Sequence, residues 1–419
     1  MSAPTLPRAR ASTTTRRWHH GDIEVQVIDH AAGLATLAGD WARLQDASGC
    51  QHVLLDARFI TAWWRHFGAG KRMRTLVLRR DDAIVAIAPL MLSRGFEVFP
   101  TRGKNVRIAD DYRHLPGTRW RRFVPIRRLG FALNFPSSNI RSHLLLADEE
   151  DTDAVDAVLA WCAAARGEWD LLALDGIPVS SSQERLLLAR AARHGLVSGR
   201  ARHTREFLNA RLPATMEAFL GARTASFRRW LKRAERDSRA RTAHLGEFAI
   251  REYRGGDIDI GMERLFGLER ESWKVGHGRE RELHLVLDDT ARAFHRDVAR
   301  AFAARDEAQV LVTEIGGRAV NALYCLERSG VSSGVLTYRA ETFAAQVAVA
   351  PLWRHYFESA IARGLTLADL NGNNDYLARY ADGAGEYARL VFYHGAPYSR
   401  LLRLVADAAN RAARLRAKR

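Results

Sequence analysis

Three stretches of this chain carry residue types that can do chemistry. The run TFAAQVAVAPLW, Thr342 to Trp353, sets small residues ahead of Pro351. Proline suits the first turn of a helix, where a missing N–H costs nothing. Ala348, Val349 and Ala350 would then leave backbone N–H groups accessible at a helix entry, which is a natural phosphate site. The spacing equally allows the run to pack beneath a sheet. Downstream, ADLNGNNDYLARYADGAGEYARLVF gathers Asp369, Tyr376 and Tyr387, and carboxylates and tyrosines are groups that take and give protons. Upstream, TASFRRWLKRAERDSRAR, Thr224 to Arg241, sets Phe227, Trp230, Leu231 and Ala234 on one helical face and Arg228, Arg229, Lys232, Arg233 and Arg236 on the other. One side packs and the other attracts anions, or is simply solvated.

The elements that must position these residues are legible around them. QVLVTEI, the two-residue signal Gly316-Gly317 and RAVNALYCL read as a β-hairpin. VSSGVLTYR is a third strand. After the TFAAQVAVAPLW junction, Leu352, Trp353, Tyr356, Phe357, Ala360 and Ile361 recur at helical spacing up to Gly364, and LTLADL returns as a strand. The same order occurs upstream: RTLVLRR, a turn at Asp81-Asp82, AIVAIAPLML, the strand HLLLA, a helix over Asp151–Ala165 and the strand DLLALDG. Each hairpin follows helical material, with Phe59, Trp63, Trp64 and Phe67 in the first half and Phe294, Val298 and Phe302 in the second. The halves read as two copies of one unit, divided near residues 195–210. The expected domains are residues 21–200 and 201–405, preceded by a disordered basic arm over 1–20 and followed by a basic tail over 406–419. That tail continues a helix whose Leu401, Leu402, Val405 and Ala408 lie on one face, and becomes basic on all sides from Asn410 to Arg419.

Composition narrows the classes. A 419-residue chain that is 47% hydrophobic buries a sizeable core and suits two domains. It holds no run of about 18 to 20 apolar residues of the kind that spans a bilayer, and its start lacks an apolar signal core, so a cytoplasmic protein is expected. Cys50, Cys162 and Cys325 stand far apart without metal-ligand spacing, so neither a metal site nor a disulfide framework is expected. With 64 Lys+Arg against 48 Asp+Glu, the net charge of +16 favours polyanionic partners such as CoA phosphates, anionic glycans, tRNA or lipid headgroups. Only five of the basic residues are lysine, and an arginine bias of that kind can also follow from codon composition.

The order of elements, the FITAWWRHFG…LVLRRDDAIVAIAPLML segment, SFRRWLKRAER and the C-terminal strand–helix–strand unit resemble the CelD-like branch of the GNAT acyltransferases, over roughly residues 45–405. That branch is associated with envelope polysaccharides and is related in plan to the Fem-type peptidoglycan aminoacyltransferases. The resemblance implies an α/β fold of tandem GNAT-like domains, each a mixed, mostly antiparallel sheet flanked by helices, with the C-terminal copy catalytic. It implies acyl-CoA as co-substrate, no tightly bound cofactor, and transfer to an amino group of a sugar or envelope precursor. Aminoacyl-tRNA-dependent transfer and a non-catalytic binding role are the alternatives.

In GNAT enzymes a Gln/Arg-x-x-Gly-x-Gly/Ala turn holds the CoA pyrophosphate. Gln346, Val347, Ala348, Val349 and Ala350 occupy that place here, with Val349 and Pro351 at the glycine positions. The resemblance assigns Asp369 as base and Tyr376 or Tyr387 as the acid that protonates the leaving thiolate; the Lys often found in this part of CelD-like chains is missing. Glu314 is the second base candidate. Arg228 and Arg229 would face phosphate, glycan or tRNA, and Trp273 and His277, in the loop ESWKVGHGRERELH, would line an acceptor pocket.

Overall fold

The computed structural model describes residues 16–95, 126–134, 137, 141–199, 203–272 and 289–417. The first half runs β1 (Arg16–His20), β2 (Ile23–Ile28), α1 (Ala31–Ala47), α2 (Ala57–Phe67), β3 (Arg72–Arg80), β4 (Ala83–Gly95), β5 (Ile126–Phe131), β6 (Leu145–Leu146), α3 (Thr152–Ala164), β7 (Leu171–Pro178), α4 (Ser182–Arg190) and β8 (Val197–Ser198). The second runs β9 (His203–Arg211), α5 (Met216–Gly221), α6 (Ala225–Thr242), β10 (Phe248–Tyr253), α7 (Ile258–Arg270), α8 (Asp289–Ala303), β11 (Ala308–Ile315), β12 (Arg318–Arg328), β13 (Val331–Arg339), α9 (Ala350–Ala362), β14 (Leu367–Asp369), β15 (Gly383–Tyr393) and α10 (Pro397–Ala417).

Local chemistry sets these boundaries. Gly316 and Gly317 take φ of +56° and +82° between the paired Ile315 and Arg318, as a tight primed hairpin turn requires. Asp81 and Asp82 do the same at φ +47° and +63° between Arg80 and Ala83, aspartate being among the few side chains that tolerate this region. Helix α2 starts where the Asp56 carboxylate accepts from the Arg58 amide at 2.9 Å, and α6 where the Thr224 hydroxyl accepts from the Phe227 amide at 3.1 Å.

The two halves share one sheet, ordered β1-β2-β3-β4-β5-β7-β15-β9-β14-β13-β12-β11-β10. Pairing is antiparallel except at β5 with β7 and β13 with β14 among the described residues. Those two parallel pairs are equivalent: each joins strands linked by a crossover, which carries α3 in one half and α9 in the other. Strand β15 leaves its own half to lie between β7 and β9, pairing with both. Helix α2 packs with the second half, its Phe59 and Phe67 rings 5.2 and 5.1 Å from Phe294 of α8. Ion pairs follow the same seam: Arg328 to Asp56 at 2.6 Å and to Asp46, Arg58 to Glu307 at 2.6 Å, and His66 to Asp297 at 2.8 Å.

The basic arm is corrected at its end. Arg16–His20 form β1 on the edge of the sheet, because Gly21 (φ +60°) turns the chain back on β2 and Trp18 packs on the core between sheet and α3. The part of the arm before Arg16 lies outside the described residues.

Candidate active site

Strands β13 and β14 pair for only three residues, Val331–Ser333 with Leu367–Asp369. Beyond Ser333, β13 carries a bulge opposite Tyr324 and Cys325, and the Leu370 amide turns to the Leu208 carbonyl of β9 at 3.0 Å. The two strands thus fork, with Gly334 facing the Asp369 and Leu370 carbonyls. Asp369 stands where the strands part. Ala368 and Leu370 belong to the core beneath α9, so strand alternation turns Asp369 to the opposite face.

On that face the partner of Asp369 is Arg141, from the first half. Its guanidinium donates to the Asp369 carboxylate at 2.6 Å and to the Asn371 side-chain oxygen at 2.9 Å. It also lies 4.3 Å from the Phe207 ring centre and 5.2 Å from that of Tyr387. Asn371 has φ +48° and donates its amide to the other Asp369 oxygen at 2.9 Å. Asparagine, like aspartate, is among the few side chains that tolerate this left-handed region. Burial alone would lower the pKa of Arg141, but Asp369 and Tyr387 outweigh it and hold it above the ordinary arginine value. Gly176, at φ +85°, makes the approach possible: a Cβ there would sit 2.3 Å from the Arg141 Cα. Beneath lies a second buried charge group, in which Asp175 meets Arg128 and, at 3.4 Å, Arg389. Burial brings Arg389 down to about 10.

A cysteine–histidine group flanks Arg141. The Cys50 thiol lies 3.6 Å from His143 Nε2, and the His52 and His143 rings are 5.8 Å apart. Burial, and then the Arg141 charge, push His143 down to about 4 and His52 in the same direction. Both imidazoles are therefore neutral at pH 7. Burial raises the Cys50 thiol, so this is a neutral pair. Neither Arg141 nor this group carries a motif. A buried arginine far from Asp369 in the chain is found only through the fold.

The described residues among those singled out from sequence divide among five places. Tyr387 joins Asp369 through Arg141. Tyr376 does not: its hydroxyl meets that of Tyr380 at 2.9 Å, and both rings pack against Trp230 of α6. Burial raises both hydroxyls. Glu314 is buried at the β10–β11 edge, bound to Arg251 at 2.9 Å and accepting from the Tyr253 hydroxyl at 3.1 Å. Those contacts occupy the carboxylate away from Arg141 and its partners. Trp273 and His277 lie outside the described residues.

At the helix entry the structure combines the two arrangements that the spacing allowed. Gln346 and Val347 donate to the Phe343 carbonyl at 3.1 and 2.9 Å. Ala348 donates to the buried Ser238 hydroxyl of α6 at 3.0 Å. Arg241 then donates to the Ala345 carbonyl at 2.8 Å, drawing α6 over the loop. The amides of Val349 and Ala350 have no partner among the described residues, and Ala350 is fully buried. On the outer face of α6, Arg228 donates to the Arg223 carbonyl at 2.5 Å. Arg229, Lys232 and Arg233 are exposed and meet no carboxylate among the described residues.

The mixed sheet, its two parallel strand pairs and the helix between β13 and β14 fit an acyltransferase fold of the GNAT kind. Residues 225–387 match the family model described as an acetyltransferase (GNAT) domain. Among solved structures it is similar to FemX, with a TM-score of 0.54 at 10% identity, covering 86% of this chain and 98% of that one. It also matches L-PGS from Bacillus licheniformis at 0.45 and 11% identity, covering 91% and 97%. A tandem GNAT protein of the clavulanic acid pathway matches at 0.46 and 10%, covering 89% and 99%. No curated protein matches the sequence. No helix among the described residues is long and apolar enough to cross a membrane.

Proposed function

We propose that the protein transfers an acyl group from acyl-CoA to an amino group on a sugar or cell-envelope precursor, as the resemblance to CelD-like chains implies. The observation that supports this best is Asp369, held at the mouth of the β13–β14 fork by Arg141 and by the amide of Asn371. The thioester would lie in the fork and the amine would approach from the Arg141 side. Asp369 accepts one ammonium proton, the freed amine forms its bond to the acyl carbon, and the carbon–sulfur bond breaks as the nitrogen gives up its second surplus proton to water or to the Tyr387 oxygen. The thiolate takes up a proton from Tyr387 or from water. Holding the two reactants together supplies much of the acceleration.

Calorimetry with CoA and acetyl-CoA tests the donor, and saturable binding is expected. In turnover assays Asp369→Asn should lower kcat by about 10²- to 10⁴-fold with donor affinity nearly intact. Tyr387→Phe should cost more than Tyr376→Phe, since only Tyr387 reaches the Arg141 group. A drop below about tenfold for Asp369→Asn removes it as the base.

One set of observations favours a second donor. Ser238 caps the Ala348 amide, Pro351 offers none, and on the same helix α6 Arg229, Lys232 and Arg233 are exposed and meet no carboxylate among the described residues. An aminoacyl-tRNA would use that surface rather than the helix entry. Absence of CoA binding up to millimolar ligand, with tRNA binding that falls steeply with salt and on Arg228, Arg229 and Arg233→Ala, would select this reading.

A further inference from the structure

Helix α10 has two apolar faces and covers only one of them. Leu402 and Ala406 are buried against Ile126, Leu171, Ala173 and Tyr393 of the sheet. The helix entry is fixed to the same body, because Ser399 Oγ accepts from the His394 amide at 3.0 Å and the His394 ring meets the Trp169 carbonyl at 2.9 Å. The other face is in solvent: Leu401 is 53% exposed, Leu404 60%, Val405 45% and Leu415 68%. The remaining exposed large apolar residues among the described ones, Leu188, Val197, Leu245 and Ile260, lie on four separate elements or loops. Single exposures of that kind are ordinary, whereas a continuous stripe marks a contact surface.

At 3.6 residues per turn, Leu401, Leu404, Val405, Ala408 and Leu415 fall within one arc of about 100°. Exposed Arg400 and Arg411 border that arc. The helix sequence adds Arg403, Arg414 and Arg416, while its only acid, Asp407, is buried. An apolar stripe bordered by cations on a helix of 21 residues, about 30 Å long, is the arrangement that lies in the plane of a membrane interface. We propose that α10 docks the protein on an anionic phospholipid surface, leucines in the headgroup–acyl boundary and arginines against the phosphates. A second copy of the chain fits less well, since a two-fold contact over this stripe brings the Arg400 and Arg411 charges of the two copies together.

The test is co-sedimentation of the full chain with vesicles of phosphatidylcholine containing phosphatidylglycerol as the minority lipid, beside pure phosphatidylcholine. The mixed vesicles should bind it, and added salt should weaken that binding. Leu401→Gln, Leu404→Gln and Leu415→Gln together should lower partitioning at least about tenfold with an unchanged melting temperature, because these side chains hold nothing inside the fold. Three outcomes overturn the proposal. One is no binding by the wild-type chain, or equal binding by the triple-leucine variant. Another is binding that survives that variant but disappears in Arg229, Lys232 and Arg233→Ala, which moves the contact to α6. The third is absence of vesicle binding with a dimer, seen by light scattering, that the leucine substitutions dissociate.

Discussion

Arg141→Met separates the charge of the arginine from its bulk. The methionine keeps an apolar stem beside Phe207 and Tyr387, but it removes the donors that Asp369 and Asn371 share. The Arg141 side chain is 3% exposed and that of Asp369 16%, so the carboxylate loses its ion partner with little water to replace it. Removing one member of a fully buried pair costs about 3–5 kcal/mol. Asp369 keeps the Asn371 amide and some solvent, so a cost of about 3 kcal/mol is expected. Denaturant unfolding of wild type, Arg141→Met, Asp369→Asn and the double variant measures this directly. Because the two groups touch, their effects should fail to add, with Asp369→Asn recovering at least about 1 kcal/mol in the Arg141→Met background. If the four stabilities add within about 0.5 kcal/mol, the pair is not coupled. Arg141 would then have no claim to position Asp369, and turnover of the folded Arg141→Met protein should match wild type.

Acid should loosen the seam through His143. Its folded value of about 4 lies below the ordinary histidine value, so the unfolded chain takes up its proton first as pH falls. The stabilisation is complete above about pH 6.5, drains as pH falls towards 4 and amounts to at most about 3 kcal/mol. Denaturation midpoints across that window check it, and His143→Asn should flatten the profile; an equally steep profile in the variant would assign the loss elsewhere. Gly176→Ala should destabilise by about 1–3 kcal/mol or more from strain at positive φ alone, and should lower kcat as well, because the new methyl displaces Arg141. A variant with wild-type melting temperature and rate would show that the backbone yields there at no cost.

Much of the fold was legible because it is local. Strand period, the Gly316-Gly317 and Asp81-Asp82 turns, and helical spacing from Leu352 to Ile361 each act within a few residues, and the repeated order of elements marked the two halves. The same local signals placed Asp369 at the end of a strand and TFAAQVAVAPLW at a helix entry. They could not show what covers that entry. Ser238 takes the Ala348 amide because α6 and α9 pack side by side, and nothing in the spacing of either helix states that they do. Burial likewise tied Glu314 to Arg251 and Tyr253 and turned Tyr376 towards Tyr380 and Trp230.

Arg141 is the clearest case of what tertiary structure decided. The chain encodes an arginine and, far downstream, an aspartate, and insertion of β15 between β7 and β9 joins the halves that carry them into one sheet. Helix α10 shows the same division. Its sequence determined that leucines and alanines repeat at helical spacing among arginines. Which of them meet the protein and which meet solvent was decided by where β5, β7 and β15 offer a surface, since a helix can press only one side against a flat sheet.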